Sequence, residues 1–540
     1  MGIEEDAYRY AIKNAALHEG KADMGALIGK LKALYSDLPI KKTMEISLEA
    51  VKKVNSMQLE DIKKEYSKFD KEGYELKPKE KEDPIPKLGW AEKEPVVTRY
   101  APNPNGPLHL GNARTALLSK EFAKRYGGKF ILRFDDTDPK VKKPMKNAEQ
   151  VFKEDLKWLG CEPDETFFAS DRLDTYYSYM KTCLQKGYAY ICQCNPEEWR
   201  EKTKKGEACP CRETNPKEQL NKFEKMLSNE IKEGQAVLRI KTDLKHKDPS
   251  VRDWWAAKIV DDPEHPNPNA AGKHVWPSYN FASAIDEHLL KVTLIIRGQE
   301  HEQNKTKQEF LYKHFEWVYP HCFHIGRINM PGLMLSTSKI KEGIEQGKYS
   351  GWDDPRLGTI RAFRRRGFKP ITLKEALFDL GVNTNDSVLQ WSKLIDLNKK
   401  EIEQESERMP FFEDPIQLDI DMAPGGPSKV IVDKRQFDHF KVGEVIRLRN
   451  LFNVKIKKKD PLQVFSDFVG EAKINKQIAG WFEQSADVEI TMDDNTKKRG
   501  IGPEKIMEKG LLTRIYFDKI GHCILEGKEA NKAFFRFTHK

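Results

Sequence analysis

Residues 102–112 bring an imidazole, amide groups and glycines to a sharp turn between a strand and a helix. They read Pro-Asn-Pro-Asn-Gly-Pro-Leu-His-Leu-Gly-Asn, after a strand-like run at 96–100 and before a helical run at 113–126. The prolines and glycines force a tight turn. His109 would then lie near the amino end of the helix, where free backbone N–H groups and the helix dipole favour phosphate. The spacing therefore predicts a phosphate-binding turn.

A second loop with hydrogen-bonding groups stands at residues 334–339, which read Met-Leu-Ser-Thr-Ser-Lys. Alone, a loop of this composition is typical of a solvated turn, and the first segment alone is compatible with an ordinary loop before a helix. Some small nucleotidylyltransferases also carry an H-x-G-H turn, so by itself the first segment indicates adenylyl chemistry rather than tRNA. The presence of both segments in one chain weighs against the interpretation of either as an ordinary loop.

Carboxylates follow the next predicted strand. Residues 130–134 read as a buried strand, and Asp135, Asp136 and Asp138 come directly after it. Because doubly wound sheets bind ligands at the carboxyl ends of their strands, these carboxylates are placed to pair with a substrate ammonium. Further polar segments stand at 170–172, 237–241, 279–282, 286–288, 296–301, 352–359 and 361–368.

These segments, in this order, resemble a known family. The first turn, in the form P-x-P-x-G-x-x-H-x-G-N, is similar to the HIGH signature of class I aminoacyl-tRNA synthetases. Residues 334–339 match the KMSKS loop of that class in part: the family lysine stands between two serines, where this chain has Thr337. Lys339, two positions on, is the candidate for the displaced charge. From about Val96 onward the chain resembles the glutamyl/glutaminyl-tRNA synthetase group, archaeal and eukaryotic branch.

The resemblance implies attachment of L-glutamate to the 3′ end of tRNA(Glu) through a glutamyl-adenylate, with ATP and Mg²⁺. A carboxylate is already nucleophilic at neutral pH, so this chemistry needs alignment and charge stabilisation. Arginines that pair bidentately with a carboxylate favour glutamate over glutamine. Asp138 adds to this, since it stands where glutaminyl enzymes carry Asn. Three alternatives stay open: charging of tRNA(Gln) as well, a glutaminyl enzyme, and a catalytically inactive tRNA-binding paralogue.

The resemblance also assigns roles to residues. The expected catalytic residues are His109, Asn112 and Lys339. The expected ATP-binding residues are Pro102, Pro104, Gly106, His109, Gly111, Asn112, Leu335, Ser336, Ser338 and Lys339. The expected amino-acid-binding residues are Arg99, for a substrate carboxylate, Asp135, for the α-ammonium, and Tyr279, Asn280 and Arg297, which line the rest of the pocket. The alternative for Arg99 and Arg297 is an ion pair inside the domain.

Four cysteines are grouped at Cys192, Cys194, Cys209 and Cys211, as two C-x-C pairs that fourteen residues separate. Four thiolates at this spacing can close a tetrahedral structural zinc site. Structural zinc sites usually have two or more residues within each pair, so unligated cysteines are the alternative. A catalytic zinc is not expected, since the implied chemistry needs none.

Composition limits the class of protein. At 540 residues, 38% hydrophobic and 33% charged, the chain predicts a globular protein of three or more domains. The net charge of +9 permits a polyanionic partner. We expect a cytoplasmic protein without a membrane segment, because the first residues are acidic and polar and no run approaches the ~20 apolar residues that span a bilayer.

The pattern along the chain predicts a multidomain fold with α/β and β parts. With the functions that the resemblance implies for each part, the expected order is an all-helical N-terminal appendage at 1–75, a linker at 76–94, a Rossmann-like class I catalytic domain at 95–185 and 276–330, a tRNA acceptor-binding insertion at 186–275, the second ATP loop with a helical stem-contact domain at 331–404, and anticodon-binding β-barrels at 405–540. We expect a monomer, with the N-terminal helices as an element that docks another protein.

Overall fold

The computed structural model describes residues 2–18, 20–35, 38–69, 83–421, 425–472 and 478–540. The chain forms two compact units, Met1–Asp83 and Pro84–Lys540. Among the described residues, none of the helices combines the length and the apolar character that crossing a membrane requires.

The first unit consists of helices. They are α1 (Ile3–Leu17), α2 (Met24–Leu34), α3 (Ile40–Asn55) and α4 (Leu59–Phe69). Helix α1 packs against the other three, and Ala7, Ala11 and Ala15 recur every four residues on its fully buried face. The predicted N-terminal helical region is thereby confirmed; its last predicted residues, 70–75, lie outside the described part.

The second unit contains strands and helices in alternation, followed by strands alone. Its strands are β1 (Val97–Tyr100), β2 (Lys129–Phe134), β3 (Glu165–Phe168), β4 (Ala189–Cys192), β5 (Val237–Ile240), β6 (Trp255–Ile259), β7 (Val275–Pro277), β8 (Leu294–Gly298), β9 (His321–Ile325), β10 (Ile328–Asn329), β11 (Ser387–Val388), β12 (Glu407–Met409), β13 (Pro415–Asp421), β14 (Lys429–Asp433), β15 (Val445–Leu448), β16 (Asn453–Asp460), β17 (Gln463–Gly470), β18 (Ile478–Ala479), β19 (Ser485–Thr491), β20 (Lys497–Pro503), β21 (Arg514–Phe517), β22 (Gly521–Glu529) and β23 (Lys532–His539). Its helices are α5 (Leu110–Arg125), α6 (Ala148–Trp158), α7 (Leu173–Gln185), α8 (Pro196–Lys205), α9 (Pro216–Leu227), α10 (Tyr279–Leu289), α11 (Glu302–His314), α12 (Thr337–Glu345), α13 (Ile360–Arg365), α14 (Pro370–Phe378), α15 (Trp391–Ile402) and α16 (Lys434–Asp438).

A five-stranded parallel sheet forms the centre of this unit, in the order β3-β2-β1-β8-β9. Residues Phe130–Phe134 of β2 are all buried, as expected for a parallel sheet that helices cover on both faces. From β1 the chain builds β2 and β3 on one side and later returns to build β8 and β9 on the other. The order therefore reverses between β1 and β8, and ligands bind at the carboxyl ends of strands at such a point.

A smaller antiparallel sheet, β4-β5-β6-β7, is inserted between the two halves of the parallel sheet. Its core is shared with α7, α9, α10 and α11, through residues such as Met180, Phe223, Phe281 and Tyr312. The insertion is therefore packed on the catalytic sheet through α10 and α11, the helices that precede and follow β8.

The described end of the predicted linker packs on the parallel sheet. Residues 76–82 lie outside the described part of the chain, and the second unit begins at Pro84. Ile85 and Leu88 are buried in a cluster with Leu294 and Ile296 of β8. The segment after residue 83 thus belongs structurally to the sheet.

The C-terminal region forms two six-stranded sheets, ordered β14-β13-β17-β16-β15-β18 and β12-β21-β22-β23-β19-β20. In β13, Ile416, Leu418 and Ile420 are buried and alternate with more exposed residues, the period-two pattern of a sheet with one face on a core. Arg366, which follows α13, donates from Nη2 to the carbonyl of Thr538 in β23 at 2.9 Å. The predicted strand-rich, barrel-like C-terminal region is confirmed, and the helical segment before it joins it by buried hydrogen bonds.

Candidate active site

The turn between β1 and α5 holds His109 at the position that precedes the helix, as predicted. His109 has an extended backbone and caps α5. A Cβ atom at Gly111 would lie 3.1 Å from the His109 ring, so glycine leaves room for the imidazole. The Nδ1 atom of His109 is buried without a hydrogen-bond partner among the described residues. Burial lowers the pKa of His109 to about 4, so the ring is neutral at physiological pH.

The second loop packs against the first. Ser336 precedes α12, which begins at Thr337. A Cβ atom at Gly106 would overlap the Thr337 side chain and approach the Trp352 ring at 2.9 Å. Only a residue without a side chain fits between the two loops at this position. Gly106 therefore acts by allowing contact between the loops.

Gly358 joins the two loops through its backbone. Its carbonyl accepts from the N–H of Leu110 at 3.1 Å, and its own N–H donates to the carbonyl of Met334 at 3.0 Å. A Cβ atom here would overlap Leu335. Gly358 lies in the segment 352–359 that contributes to the family resemblance, but no role was predicted for it.

A cavity of about 1340 Å³ opens at the carboxyl ends of β1, β2 and β8. Most of the predicted site residues line it: Arg99, Pro102, His109, Gly111, Asn112, Asp135, Tyr279, Asn280, Arg297, Leu335, Ser336 and Ser338. Three predicted residues do not line it: Pro104, Gly106 and Lys339. Lys339 is exposed on the first turn of α12.

Arg99 of β1 forms a buried ion pair. Its Nε atom donates to Glu287 Oε1 at 2.9 Å, and its Nη2 atom lies 2.8 Å from the same oxygen. Burial lowers the pKa of Arg99, but the Glu287 carboxylate outweighs burial, and the pKa lies above its usual value. The alternative of an ion pair inside the domain therefore describes Arg99.

Within the described part of the chain, Arg297 of β8 has no such partner. Its guanidinium donates to the Gln308 side chain at 3.0 Å, to the Tyr319 hydroxyl at 3.0 Å and to a His324 ring nitrogen at 3.3 Å. Among the described residues, the ion-pair alternative does not hold for Arg297.

Asp135 lies at the end of β2 beside Arg133. Arg133 donates from Nε to Asp286 and from Nη1 to Asp135 at 3.4 Å. Asp286 is fully buried and also accepts from Arg172 at 2.6 Å. Burial raises the pKa of Asp135, and Arg133 opposes this shift. The carboxylate is thus held toward the cavity with only one long bond to a cation, which leaves it free to accept from a ligand ammonium.

Asp138 has a local structural role. Its Oδ1 atom accepts from the N–H groups of Lys140 at 3.1 Å and Val141 at 2.9 Å. Burial raises the pKa of Asp138, but these backbone donors outweigh burial and the pKa is lowered. Asp138 therefore fixes the turn after β2 at the rim of the cavity.

The inserted domain supplies a cationic and aromatic wall that the sequence analysis did not predict residue by residue. The guanidinium of Arg239 stacks on Trp199 at 3.4 Å from the ring centroid. Trp254, Trp255 and Lys258, also from the inserted domain, line the cavity as well. Basic groups beside aromatic rings suit a single-stranded nucleic acid, whose phosphates and bases they contact.

The four cysteines come together at the end of β4. Their Sγ atoms all lie within 4.8 Å of one another. Cys192 and Cys209 are 3.9 Å apart, and Cys194 and Cys211 are 3.7 Å apart. A tetrahedral zinc with Zn–S bonds of about 2.3 Å sets its sulfurs about 3.8 Å apart. The donor set and its spacing therefore fit a structural zinc ion.

The parallel sheet, its order reversal and the two joined loops define a nucleotide-binding synthetase fold. A family model described as the catalytic domain of class I tRNA synthetases (E and Q) matches residues 95–404, and the chain belongs to this family. The resemblance to class I aminoacyl-tRNA synthetases of the glutamyl/glutaminyl group, which the sequence indicates, is thereby confirmed.

Particular relatives match the whole chain. It is 42% identical to the glutamate–tRNA ligase of Pyrococcus abyssi and 42% identical to that of Pyrococcus furiosus, in each case over 100% of both chains. A similar solved structure is a glutamate tRNA ligase from Elizabethkingia meningosepticum in complex with its amino acid, at 24% identity and a TM-score of 0.43, over 58% of this chain and 70% of that one.

We expect His109 to titrate far below an ordinary histidine. An NMR titration of labelled histidines, with His109 identified by its loss in a His109→Gln variant, should give a pKa near 4. The unfolded chain takes up this proton near pH 6.5, so the stability that neutral His109 contributes is lost as pH falls from 6.5 towards 4. A pKa at or above 6.5 in the folded protein would contradict the buried environment.

Proposed function

We propose that the protein is a glutamate–tRNA ligase, which uses ATP to attach L-glutamate to the 3′ end of tRNA(Glu) through a glutamyl-adenylate. The observation that carries this is the full-length similarity to archaeal glutamate–tRNA ligases. The cavity supports it, because it joins two nucleotide-type loops to a pocket with two arginines and a carboxylate.

In the first step, the α-carboxylate of glutamate attacks the α-phosphate of ATP and releases pyrophosphate. His109 and Asn112, with N–H groups at the start of α5, donate to the phosphates as negative charge moves onto the leaving group. Neutral His109 does so through a ring N–H. Mg²⁺ bound with ATP supplies further charge stabilisation. In the second step the terminal ribose hydroxyl of tRNA takes the glutamyl group and AMP leaves.

The amino-acid pocket orients glutamate by charge. Asp135 accepts from the α-ammonium, while Arg99 and Arg297, which also line the cavity, are available to a carboxylate. Tyr279 and Asn280, at the start of α10, line the space between. The Asn280 Oδ1 atom is buried without a partner among the described residues, so it is ready to accept from the ligand.

The remaining domains contact tRNA in this proposal. The inserted domain at 186–275 holds the acceptor end, and its wall of Arg239, Trp199 and Lys258 supplies the cationic and aromatic groups. The helices at 331–404 contact the stem, and the sheets from residue 405 onward read the anticodon, where splayed bases stack and are read along their edges. The N-terminal helices dock another protein, and the catalytic chain acts as a monomer.

A structural zinc ion at the four cysteines belongs to the proposal. Cys192 ends β4, while Cys209 and Cys211 flank a short turn at Pro210. The hydrogen bond with Cys192 lowers the pKa of Cys209, which favours the thiolate that binds zinc. The ion would tie that turn to the inserted sheet.

The direct test is charging of transcripts of tRNA(Glu) and tRNA(Gln) with labelled glutamate and glutamine, each in turn. We expect glutamate on tRNA(Glu). Charging with glutamine but not glutamate would identify a glutaminyl enzyme, and glutamate on both tRNAs would identify a non-discriminating enzyme. Folded protein that charges neither tRNA would favour the inactive tRNA-binding paralogue.

We expect Lys339→Ala to slow adenylate formation by about 10²-fold or more, the scale of one lost transition-state contact. The reason is that Lys339, two positions beyond the missing family lysine, is exposed on the first turn of α12 beside Ser338, which lines the cavity, so its long side chain can extend to a bound triphosphate. ATP–pyrophosphate exchange with tRNA present measures the rate. Lys341→Ala, exposed on the same helix, is the matched control. Equal rates in both variants would remove Lys339 from the mechanism.

We expect close to one zinc per chain in protein purified without added metal. Changing Cys209 and Cys211 together to Ser should abolish the zinc and make the inserted domain more sensitive to proteolysis. Cys161→Ser, at a buried cysteine outside the cluster, should keep the metal. A zinc content near zero by elemental analysis, in carefully reduced wild-type protein, would show that these cysteines bind no metal.

A further inference from the structure

Arg297 is a buried guanidinium whose hydrogen-bond partners all lack charge. Its Nε atom donates to His324 Nε2, its Nη1 atom to Gln308 Oε1 and its Nη2 atom to the Tyr319 hydroxyl. We call Gln308, Tyr319 and His324 the neutral cradle. His324 pairs with Arg297 across β8 and β9. Burial lowers the pKa of His324, and Arg297 lowers it further, so its ring is neutral at physiological pH.

The cradle is a closed network. The Tyr319 hydroxyl, which accepts from Arg297, donates to Gln308 Oε1 at 2.7 Å. The Gln308 oxygen therefore accepts twice, from Tyr319 and from Arg297. Three of the five N–H groups of Arg297 are used in this way, and two, one on each Nη, stay available to a ligand.

The charges around Arg297 do not balance. Glu287 is the buried carboxylate that acts through space on both Arg99 and Arg297, and it is held by Arg99 at 2.8 Å. Among the described residues no carboxylate lies within ion-pair distance of Arg297. Two arginines thus share one carboxylate, and the three groups together carry one excess positive charge.

Gln308 is an unexpected residue if stability alone matters. It is fully buried, and its Nε2 amide group has no hydrogen-bond partner among the described residues. A glutamate at this position would accept from the same two donors, pair with Arg297 and leave no buried N–H₂ group unsatisfied. The amide costs stability and keeps the charge of Arg297 uncompensated.

We infer that the neutral cradle selects glutamate against glutamine, because it positions Arg297 without neutralising it. This inference rests on the proposed function and deepens it. A glutamate side chain brings the carboxylate that balances the excess charge. The amide of glutamine has the same shape but leaves the guanidinium uncompensated, which is costly because Arg297 is only 4% exposed. Gln308, Tyr319 and His324 are thus positioning residues that set specificity.

The sharpest test is Gln308→Glu, which adds one charge with little change in shape. We expect the KM for glutamate in charging of tRNA(Glu) to rise about 30-fold or more, as expected when a buried charge pair is lost. The KM for ATP should change little. Inhibition by free glutamine should stay the same or strengthen, so that the selectivity of the enzyme for glutamate over glutamine falls. The unfolding temperature should equal or exceed that of the wild type.

A second pair of variants checks the charge from the opposite side of the guanidinium. His324→Glu should weaken glutamate binding far more than His324→Gln, which has the same length and no charge. A structural role alone would make the two variants equally defective, and this outcome would overturn the inference.

The results separate the inference from the function on which it rests. Wild-type protein that fails to charge tRNA(Glu) with glutamate would overturn the proposed function. The cradle inference alone would be overturned if the wild-type protein charges tRNA(Glu) but the Gln308→Glu variant keeps its KM for glutamate and its selectivity. It would also be overturned if that variant unfolds at a lower temperature than the wild type.

Discussion

The backbone hydrogen bonds of Gly358 are the constraint on which the cavity depends. They tie Leu110, at the start of α5, to Met334, just before α12. The two loops are far apart in the chain, and each alone would be a polar turn without a fixed partner. Because both bonds use backbone groups, their geometry is independent of side-chain rotamers. Gly106 and Gly358 add close packing that any Cβ atom would prevent. The two loops are thereby held in one arrangement by the protein's own backbone, and such preorganisation is what catalysis by alignment requires.

The sequence could predict the loops and most of the pocket, because their chemistry is local. Proline, glycine and histidine at fixed spacing indicate a turn before a helix wherever they occur, and the acidic run after β2 follows the same logic. The bridge at Gly358 could not be predicted, since every residue carries the same backbone groups. The cradle was equally hidden: Gln308 lies on α11, Tyr319 in the connection after it and His324 on β9. Because these three neutral residues lie on three separate segments, no local sequence pattern indicates that their side chains contact one arginine.

The two arginines show why residue type alone leaves roles open. Arg99 was expected to face a substrate carboxylate and Arg297 to line the rest of the pocket, with an internal ion pair as the alternative for each. Arg99 has an internal partner in Glu287, while Arg297 has only neutral ones. This difference comes from α10, which carries Glu287 toward β1, and no local signal near either arginine records it. Lys339 is the opposite case: its sequence position suggested a phosphate contact, yet its side chain stands outside the cavity wall.

The insertion between the halves of the parallel sheet has a consequence for how the protein folds. Strand β1 pairs with β8 through Thr98 and Leu294, and the Val97 N–H donates to Thr293 across a separation of 196 residues. Bringing such distant segments together has a large loop-closure entropy, and non-local pairing of this kind is slow. During synthesis the first three strands emerge well before β8, with one edge of β1 still unpaired. The inserted sheet can fold in that interval and shorten the effective loop. The order reversal that creates the binding cavity is therefore among the last features of the catalytic sheet to form.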